Sequence, residues 1–247
     1  MPVAGEGVCR GGGAGRVVGP VRVVKIAEVF YSVQGEGKLV GVPSVFVRTS
    51  GCNLRCKWCD TPYTSWSPVG EARTVASLVE EVAAFGARHV VVTGGEPLIA
   101  PEVVALTAAL RARGQHITVE TAGTVFADVA CDLMSISPKL ANSTPDDVKW
   151  GPVHERTRMQ PDILRRLMES YSYQLKFVVA APEDMGEIEQ LVTFLGAPVE
   201  NVLLMPEGRS PEVIRERAAW LVPLCLRFGY RYSPRVHVDI WGDRRGV

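Results

Sequence analysis

The stretch SVFVRTSGCNLRCKWCDT, residues 44–61, decides the fold. Its first part, residues 44–49, is an apolar, β-branched run and predicts a buried strand. A loop with three cysteines in a CxxxCxxC pattern, Cys52, Cys56 and Cys59, follows the strand directly. Functional loops of α/β folds leave the carboxyl ends of parallel strands. The sequence therefore predicts a site at this end of a sheet.

Short β-branched runs of the same kind recur along the chain and alternate with amphipathic stretches. This alternation is typical of βα units around a parallel sheet. The six predicted strands are residues 44–49, 89–93, 116–120, 132–136, 174–179 and 201–205. They predict an open or closed α/β barrel. Short motifs stand at or just after strand ends: TGGEP, ETAGT, SPK and MPEG.

Helix signals lie between the strands. Thr74 is a plausible N-cap, and a second helix should open at Pro101 and stop at Gly114, which tolerates a left-handed cap. Two helical faces are apolar: Val75, Leu78, Val79, Val82 and Phe85 in one, and Ile188, Leu191, Val192 and Leu195 in the other.

Composition favours one domain without a charged or membrane partner. Residues 1–20 are rich in glycine and lack apolar periodicity, so we expect a disordered leader before a domain at 21–247. Lys plus Arg equals Asp plus Glu at 27 each, so no net charge favours nucleic acid. No apolar run is long enough to span a membrane, and the first residues lack the apolar core of a secretory signal. We expect a cytoplasmic protein.

The three loop cysteines bring soft thiolates within reach of one inorganic centre. A closed structural zinc site normally has four ligands, and no fourth cysteine or histidine lies nearby in the sequence. Three thiolates with one vacancy suit a cubane iron-sulfur cluster whose fourth iron binds a substrate or cofactor. A zinc site completed by a remote residue is the alternative.

With Trp58 as the aromatic residue, the CxxxCx-aromatic-C pattern resembles the cluster motif of the radical S-adenosylmethionine (SAM) superfamily. The run Gly94 to Pro97 resembles the GGEP motif of that superfamily. The resemblance implies a partial (β/α)6 TIM-like barrel of the radical SAM type. It also implies a 4Fe-4S cluster on Cys52, Cys56 and Cys59, with SAM at the open iron.

More of the chain resembles one subfamily, the 7-carboxy-7-deazaguanine synthases. The matching segments are EVFYSVQGEG at 28–37, CDT at 59–61, ETAGT at 120–124, SPK at 137–139 and WGDRRGV at 241–247. The resemblance implies a lyase of queuosine and deazapurine biosynthesis. Such an enzyme converts 6-carboxy-5,6,7,8-tetrahydropterin to 7-carboxy-7-deazaguanine with loss of ammonia, assisted by Mg²⁺.

The resemblance also assigns residues to roles. Thr61 would bind Mg²⁺, an ion that prefers oxygen ligands. Substrate contacts would come from Val33, Gln34, Gly35, Arg48, Thr93 and the carboxylate of Val247. SAM contacts would come from Gly95, Glu96, Glu120, Ser137, Pro138, Lys139 and Met205. An arginine suits the substrate carboxylate, and an amide such as that of Gln34 suits a pterin edge.

The resemblance further implies a homodimer and a reductant such as flavodoxin or ferredoxin. Two other readings stay open: a radical SAM activase acting on a partner protein, and a non-enzymatic metal-binding module. The charged segment 146–159 matches no family element and is predicted to be a surface excursion. The four histidines, His89, His116, His154 and His237, show no paired spacing, so none is assigned a catalytic role. Cys131 and Cys225 are predicted to be buried hydrophobic residues.

Overall fold

The computed structural model describes residues 22–247. The predicted leader, 1–20, lies outside the described residues. Within them, the chain forms one nine-stranded sheet in the order β3-β1-β2-β4-β5-β6-β7-β8-β9. The strands are β1 Val23–Val33, β2 Pro43–Thr49, β3 Glu71–Thr74, β4 His89–Gly94, β5 His116–Thr121, β6 Leu133–Ile136, β7 Tyr173–Val179, β8 Val202–Pro206 and β9 Arg231–Tyr232.

The six predicted strands are β2 and β4 to β8, and they lie side by side in sequence order. Each pair of neighbours is parallel, so their carboxyl ends share one edge of the sheet. Their side chains are mostly buried, as expected for parallel strands covered on both faces. Arg48 pairs in register with Thr93, which brings two predicted site residues together.

Three strands that the sequence pattern did not predict extend the sheet at its edges. β1 pairs antiparallel with β2, and β3 pairs antiparallel with β1. β9 adds two residues in parallel beside β8. Within residues 22–247, β3 and β9 are the outer strands of the sheet and do not pair with each other. The barrel is therefore open, which is the partial barrel that the family resemblance implied.

The helices cover the parallel strands and agree with the predicted start and stop signals. Thr74 caps α2 by accepting a hydrogen bond from the Ser77 amide at 3.1 Å. α3 follows Pro101, and the chain leaves it through Gly114 at φ +78°. The helices are α1 Pro62–Ser65, α2 Val75–Ala84, α3 Glu102–Ala112, α4 Trp150–Arg158, α5 Pro161–Ser170, α6 Met185–Leu195, α7 Pro211–Phe228 and α8 Val236–Trp241. Within the described part of the chain, none of them has the length and apolarity of a transmembrane span.

The prediction that 146–159 is a surface excursion is confirmed for 146–149, which are exposed, but is wrong for the inner face of the helix that follows. Val148 is exposed, but α4 follows it and packs against the rest of the protein. His154 is only 1% exposed, and Arg158 is also buried. α4 was not predicted from the sequence, because the side chains that it directs inward are polar and leave no apolar periodicity.

Candidate active site

A cavity of about 440 Å³ opens at the carboxyl ends of the parallel strands. It is lined by the cysteine loop, by residues from β1 and β7 and by the C-terminal segment, among others. All the site residues predicted from the sequence line this cavity, with the exception of Glu96 and Pro138.

The cysteine loop forms an apolar wall of the cavity. Cys52, Cys56 and Cys59 pack with Leu54, Trp58 and Ala122. Burial raises the pKa of Cys52 to about 11 and that of Cys56 to about 12. Both thiols are therefore protonated at neutral pH, and binding of a metal centre would release their protons.

The donor set of this wall fits an iron-sulfur cluster. Three thiols line one cavity, and iron in such clusters is held by thiolates. Within residues 22–247, no three Cys, His, Asp or Glu side chains converge closely enough to hold a single metal ion. A cubane does not require such convergence, because each thiolate binds a different iron. The three thiols therefore suit the cluster that the family resemblance implies.

Glycines let the neighbouring β4 loop approach the cysteine loop. Gly94 has φ +146°, a value that other residues rarely adopt. A Cβ added to Gly95 would lie 2.2 Å from the carbonyl oxygen of Gly51 and 2.7 Å from Cβ of Cys52. Only glycine fits there, so this part of the GGEP run is required for packing against the predicted cluster loop.

Glu96 is buried and does not line the cavity, and its contact with SAM stays a prediction. It is 1% exposed, and its carboxylate accepts hydrogen bonds from the Ala122 amide at 2.7 Å and the Leu98 amide at 3.1 Å. The hydroxyl of Thr121 donates to the same carboxylate at 2.8 Å. Glu96 thus ties the β4 loop to the end of β5. Pro138 is also buried outside the cavity, between Ser137 and Lys139, which both line it.

Glu120 connects predicted SAM and substrate residues. Its carboxylate accepts a hydrogen bond from the Gln34 amide nitrogen at 3.1 Å and from the Thr93 hydroxyl at 2.8 Å. On the SAM side, the Lys139 ammonium donates to the Ser137 hydroxyl at 2.8 Å. The residue after β1 and the ends of β4 and β5 therefore bring Gln34, Thr93 and Glu120 into one hydrogen-bonded group.

A second polar group lies around Glu28, which the sequence analysis quoted only as part of a motif. The carboxylate of Glu28 accepts from Arg48 Nε at 2.7 Å, from the Tyr63 hydroxyl at 2.7 Å and from Arg245 Nε at 2.8 Å. The Arg245 guanidinium also lies 4.1 Å from the centre of the Tyr63 ring. These contacts hold the C-terminal tail at the cavity, where Val247 forms part of the lining.

The cavity also has a charged wall, to whose residues the sequence analysis assigned no role: Glu36, Asp60, Lys176 and Arg235. Arg235 Nε lies 3.0 Å from Glu36, and its Nη2 lies 2.6 Å from Asp60. Lys176 forms an ion pair with Glu36. Burial alone would raise the pKa of Glu36, but the charges of Lys176 and Arg235 outweigh it and hold that pKa well below its usual range.

His237 also lines the cavity, although the sequence analysis assigned it no role. Its Nε2 lies 3.9 Å from the Glu36 carboxylate. A Cβ added to Gly35 would lie 1.9 Å from Nδ1 of His237, so the glycine leaves room for this ring. The available signals were Lys176 inside an apolar strand and Arg235 shortly before His237, and neither has a distinctive spacing.

Comparisons with known proteins agree with this site. The family model of the radical SAM superfamily matches residues 46–173. The chain belongs to the radical SAM superfamily, and membership implies a 4Fe-4S cluster and SAM as its cofactors. Among curated proteins, the 7-carboxy-7-deazaguanine synthase of Rhodopirellula baltica is 46% identical over 226 residues, covering 90% of this chain and 88% of the relative. That of Halobacterium salinarum is 47% identical over 232 residues, covering 88% and 90%. Within the superfamily, the chain is a member of the 7-carboxy-7-deazaguanine synthase family.

Solved structures agree on the fold. The crystal structure of QueE from Escherichia coli superposes with a TM-score of 0.65 at 26% identity, covering 87% of this chain and 95% of that one. Streptococcus suis SuiB bound to its precursor peptide SuiA has a TM-score of 0.54 at 11% identity, covering 76% of this chain and 47% of SuiB. The second likeness concerns the fold alone.

Proposed function

We propose that this enzyme is a radical SAM lyase that converts 6-carboxy-5,6,7,8-tetrahydropterin to 7-carboxy-7-deazaguanine with loss of ammonia. Family membership supports the reaction, and one structural observation supports it most strongly. The thiol loop, the charged group around Glu36 and the C-terminal tail all line a single cavity. A small polar substrate would thus lie next to the cofactor site.

The cofactors would occupy the thiol side of the cavity. Cys52, Cys56 and Cys59 would hold the cluster, and Gly95, Ser137, Lys139 and Met205 would contact SAM. When bound, the cluster and SAM supply radical chemistry, the abstraction of a hydrogen atom from a carbon of the substrate. The protein then has to hold the substrate in one orientation and keep water away from it.

The substrate would be oriented by side chains of β1, β2 and β4. Arg48 uses Nε to bind Glu28, and its other N–H groups have no acceptor among residues 22–247. They suit a bidentate pair with the substrate carboxylate. Gln34, held by Glu120, would face the polar edge of the pterin together with Thr93, Val33 and Gly35.

Mg²⁺ would bind at Thr61, next to both walls of the cavity. Thr61 precedes α1 but makes no capping hydrogen bond with its side chain. Its hydroxyl lies 3.8 Å from the Cys59 sulfur. An oxygen atom in this position is available for a cation that keeps other sites for substrate and water.

The carboxylate of Val247 would bind the substrate as well. A pterin presents its 2-amino group and an adjacent ring N–H as a pair of donors, and a carboxylate accepts both. The structure holds the tail through Arg245 and Glu28, and through an ion pair of Arg209 with Asp243. The homodimer and the flavodoxin or ferredoxin reductant remain predictions from the resemblance, and the cytoplasmic location remains a prediction from the sequence.

Turnover of the reconstituted enzyme tests the proposal. Protein loaded with iron and sulfide under anaerobic conditions is incubated with the carboxytetrahydropterin, SAM, Mg²⁺ and a reductant. We expect 7-carboxy-7-deazaguanine and ammonia in equal amounts, and no product when SAM is omitted. Cleavage of SAM without any change in the pterin would contradict the assigned substrate and favour an activase.

A further inference from the structure

α4, the helix that resembled no family element, contacts the cysteine loop from outside the cavity. The backbone amide of Arg55, between Cys52 and Cys56, donates a hydrogen bond to Nδ1 of His154 at 3.0 Å. The other ring nitrogen, Nε2, lies 2.9 Å from the hydroxyl of Ser143. His154 is 1% exposed and does not line the cavity.

The hydrogen bonds determine the protonation state of the His154 ring. The Ser143 hydroxyl donates its only proton to the carbonyl oxygen of Leu140 at 2.6 Å, so it accepts from Nε2–H. Nδ1 is then the unprotonated nitrogen and accepts from the Arg55 amide. Burial, the Arg158 charge and, less strongly, Lys139 lower the pKa of His154, while Glu155 opposes them, and the result is about 4. The neutral ring therefore persists at physiological pH.

Two more contacts join the same elements. The amide of Lys57, between Cys56 and Cys59, donates to the carbonyl oxygen of Ser143 at 2.9 Å. The guanidinium of Arg55 lies 4.4 Å from the centre of the Trp150 ring at the start of α4. Both segments between the cysteines are thus attached to the stretch from Ser143 to His154.

We propose that His154 is a positioning residue for the iron-sulfur cluster. By accepting from the Arg55 amide, it fixes the turn between Cys52 and Cys56 and so the direction of their thiolates. Groups that orient metal ligands from outside the coordination sphere control how tightly the metal is held. The inference rests on the assignment of the cluster to Cys52, Cys56 and Cys59, and is independent of the identity of the substrate.

Two substitutions separate the hydrogen bond from the bulk of the side chain. His154→Asn places an amide oxygen where Nδ1 lies, so the Arg55 amide keeps an acceptor. His154→Leu fills similar space without an acceptor and leaves that buried N–H unpaired. In His154→Gln the side-chain amide lies where Nε2 lies, near the Ser143 hydroxyl, and the backbone amide of Arg55 again has no acceptor. This variant repeats the test with a polar side chain if the leucine variant does not fold.

The experiment measures iron per chain after anaerobic reconstitution, and the rate at which visible absorbance disappears in the presence of an iron chelator. For His154→Leu and His154→Gln we expect loss about tenfold faster than in the parent. His154→Asn should stay close to the parent. Thr157→Ala is the matched control, because its hydroxyl bonds only within α4, to Val153 at 2.8 Å.

Unfolding of the cluster-free proteins is measured in parallel. Equal retention of iron by the leucine, glutamine and parent proteins would overturn the proposal. Equal loss in the asparagine and leucine variants would also overturn it, because the acceptor would then be irrelevant. A Cys56→Ala protein that loads iron normally would instead refute the cluster assignment itself.

Discussion

The two walls of the cavity are built in different ways. The thiol wall comes mainly from one continuous loop, residues 51–59, and is apolar enough to raise the pKa of Cys52 and Cys56. The charged wall brings Glu36, Lys176 and Arg235 together from distant parts of the chain, and its ion pairs hold the pKa of Glu36 low. The first wall suits a metal cluster, and the second suits a polar substrate.

Arg235 is the centre of the charged wall. It binds both carboxylates of that wall, Glu36 and Asp60. It also donates a hydrogen bond to the carbonyl oxygen of Gly208, beyond the end of β8. A single buried guanidinium thus fixes three loops relative to one another.

The largest effect is expected from breaking the thiol wall. Cys56→Ala should abolish both cluster binding and SAM cleavage, because one iron loses its protein ligand. Iron content and 5′-deoxyadenosine production measure the two functions. Cys131→Ala and Cys225→Ala are the controls and should retain iron, since neither residue lines the cavity. Full activity of reconstituted Cys56→Ala would rule out its role as a ligand.

Substitution of Arg235 in the charged wall should weaken substrate binding and leave the binding of the cluster and SAM largely unchanged. Arg235→Gln leaves Asp60 and part of Glu36 without a positive partner, so we expect the KM for the substrate to rise about tenfold to a hundredfold. Arg235→Lys should recover only part of the loss, because an ammonium cannot reach Glu36, Asp60 and Gly208 together. Uncoupled SAM cleavage should stay within a few-fold of the parent. A parallel loss of iron would show that the walls are not separable.

Protonation of the His154 ring, which lies behind the thiol wall, should make the free energy of unfolding depend on pH. In the unfolded chain His154 has a pKa near 6.5, and in the folded chain it is about 4. The contribution of the neutral ring to the free energy of unfolding is therefore fully present above pH 6.5 and is lost as the pH falls towards 4. Between pH 7 and 5 the loss amounts to about 2 kcal/mol.

Urea unfolding of cluster-free parent and His154→Asn at both pH values isolates this contribution. The variant should lose about 2 kcal/mol less than the parent over the same interval. Identical losses in the two proteins would mean that His154 titrates normally in the folded state.

Moving the C-terminal carboxylate of Val247 should have a smaller effect on substrate binding. An affinity tag after Val247 moves the terminal carboxylate away, so the KM for the substrate should rise about tenfold relative to protein tagged at Met1. Iron content and uncoupled SAM cleavage serve as controls and should be alike. The same KM for both proteins would remove the chain end from the binding site.

The smallest effect is expected at the proposed magnesium site. Thr61→Ala should shift the Mg²⁺ concentration for half-maximal turnover upward by a few-fold, because substrate and water supply the remaining ligands. SAM cleavage without substrate should not change. A magnesium titration that superposes on that of the parent would exclude Thr61.

The thiol wall could be predicted from the sequence and the charged wall could not, because the first is one continuous segment and the second is assembled from distant ones. The six parallel strands and the thiol loop were predicted because apolar runs and a cysteine spacing are local signals. β1 was missed because its mixture of exposed and half-buried residues obscures the alternation of a strand. Lys176, Arg235 and His237 were missed because their roles arise from partners far away in sequence. Glu96 was assigned by motif alone, which does not show that its carboxylate is buried against Thr121 and Ala122.

Substrate binding to the Cys56→Ala protein tests most directly whether one cavity combines two separable walls. The dissociation constant of the carboxytetrahydropterin is measured by calorimetry in the presence of Mg²⁺, with the Arg235→Gln protein alongside. We predict that Cys56→Ala binds the substrate within a few-fold of the cluster-free parent, whereas Arg235→Gln binds much more weakly and still cleaves SAM once loaded with iron. Loss of substrate binding in Cys56→Ala, with full binding in Arg235→Gln, would contradict the account.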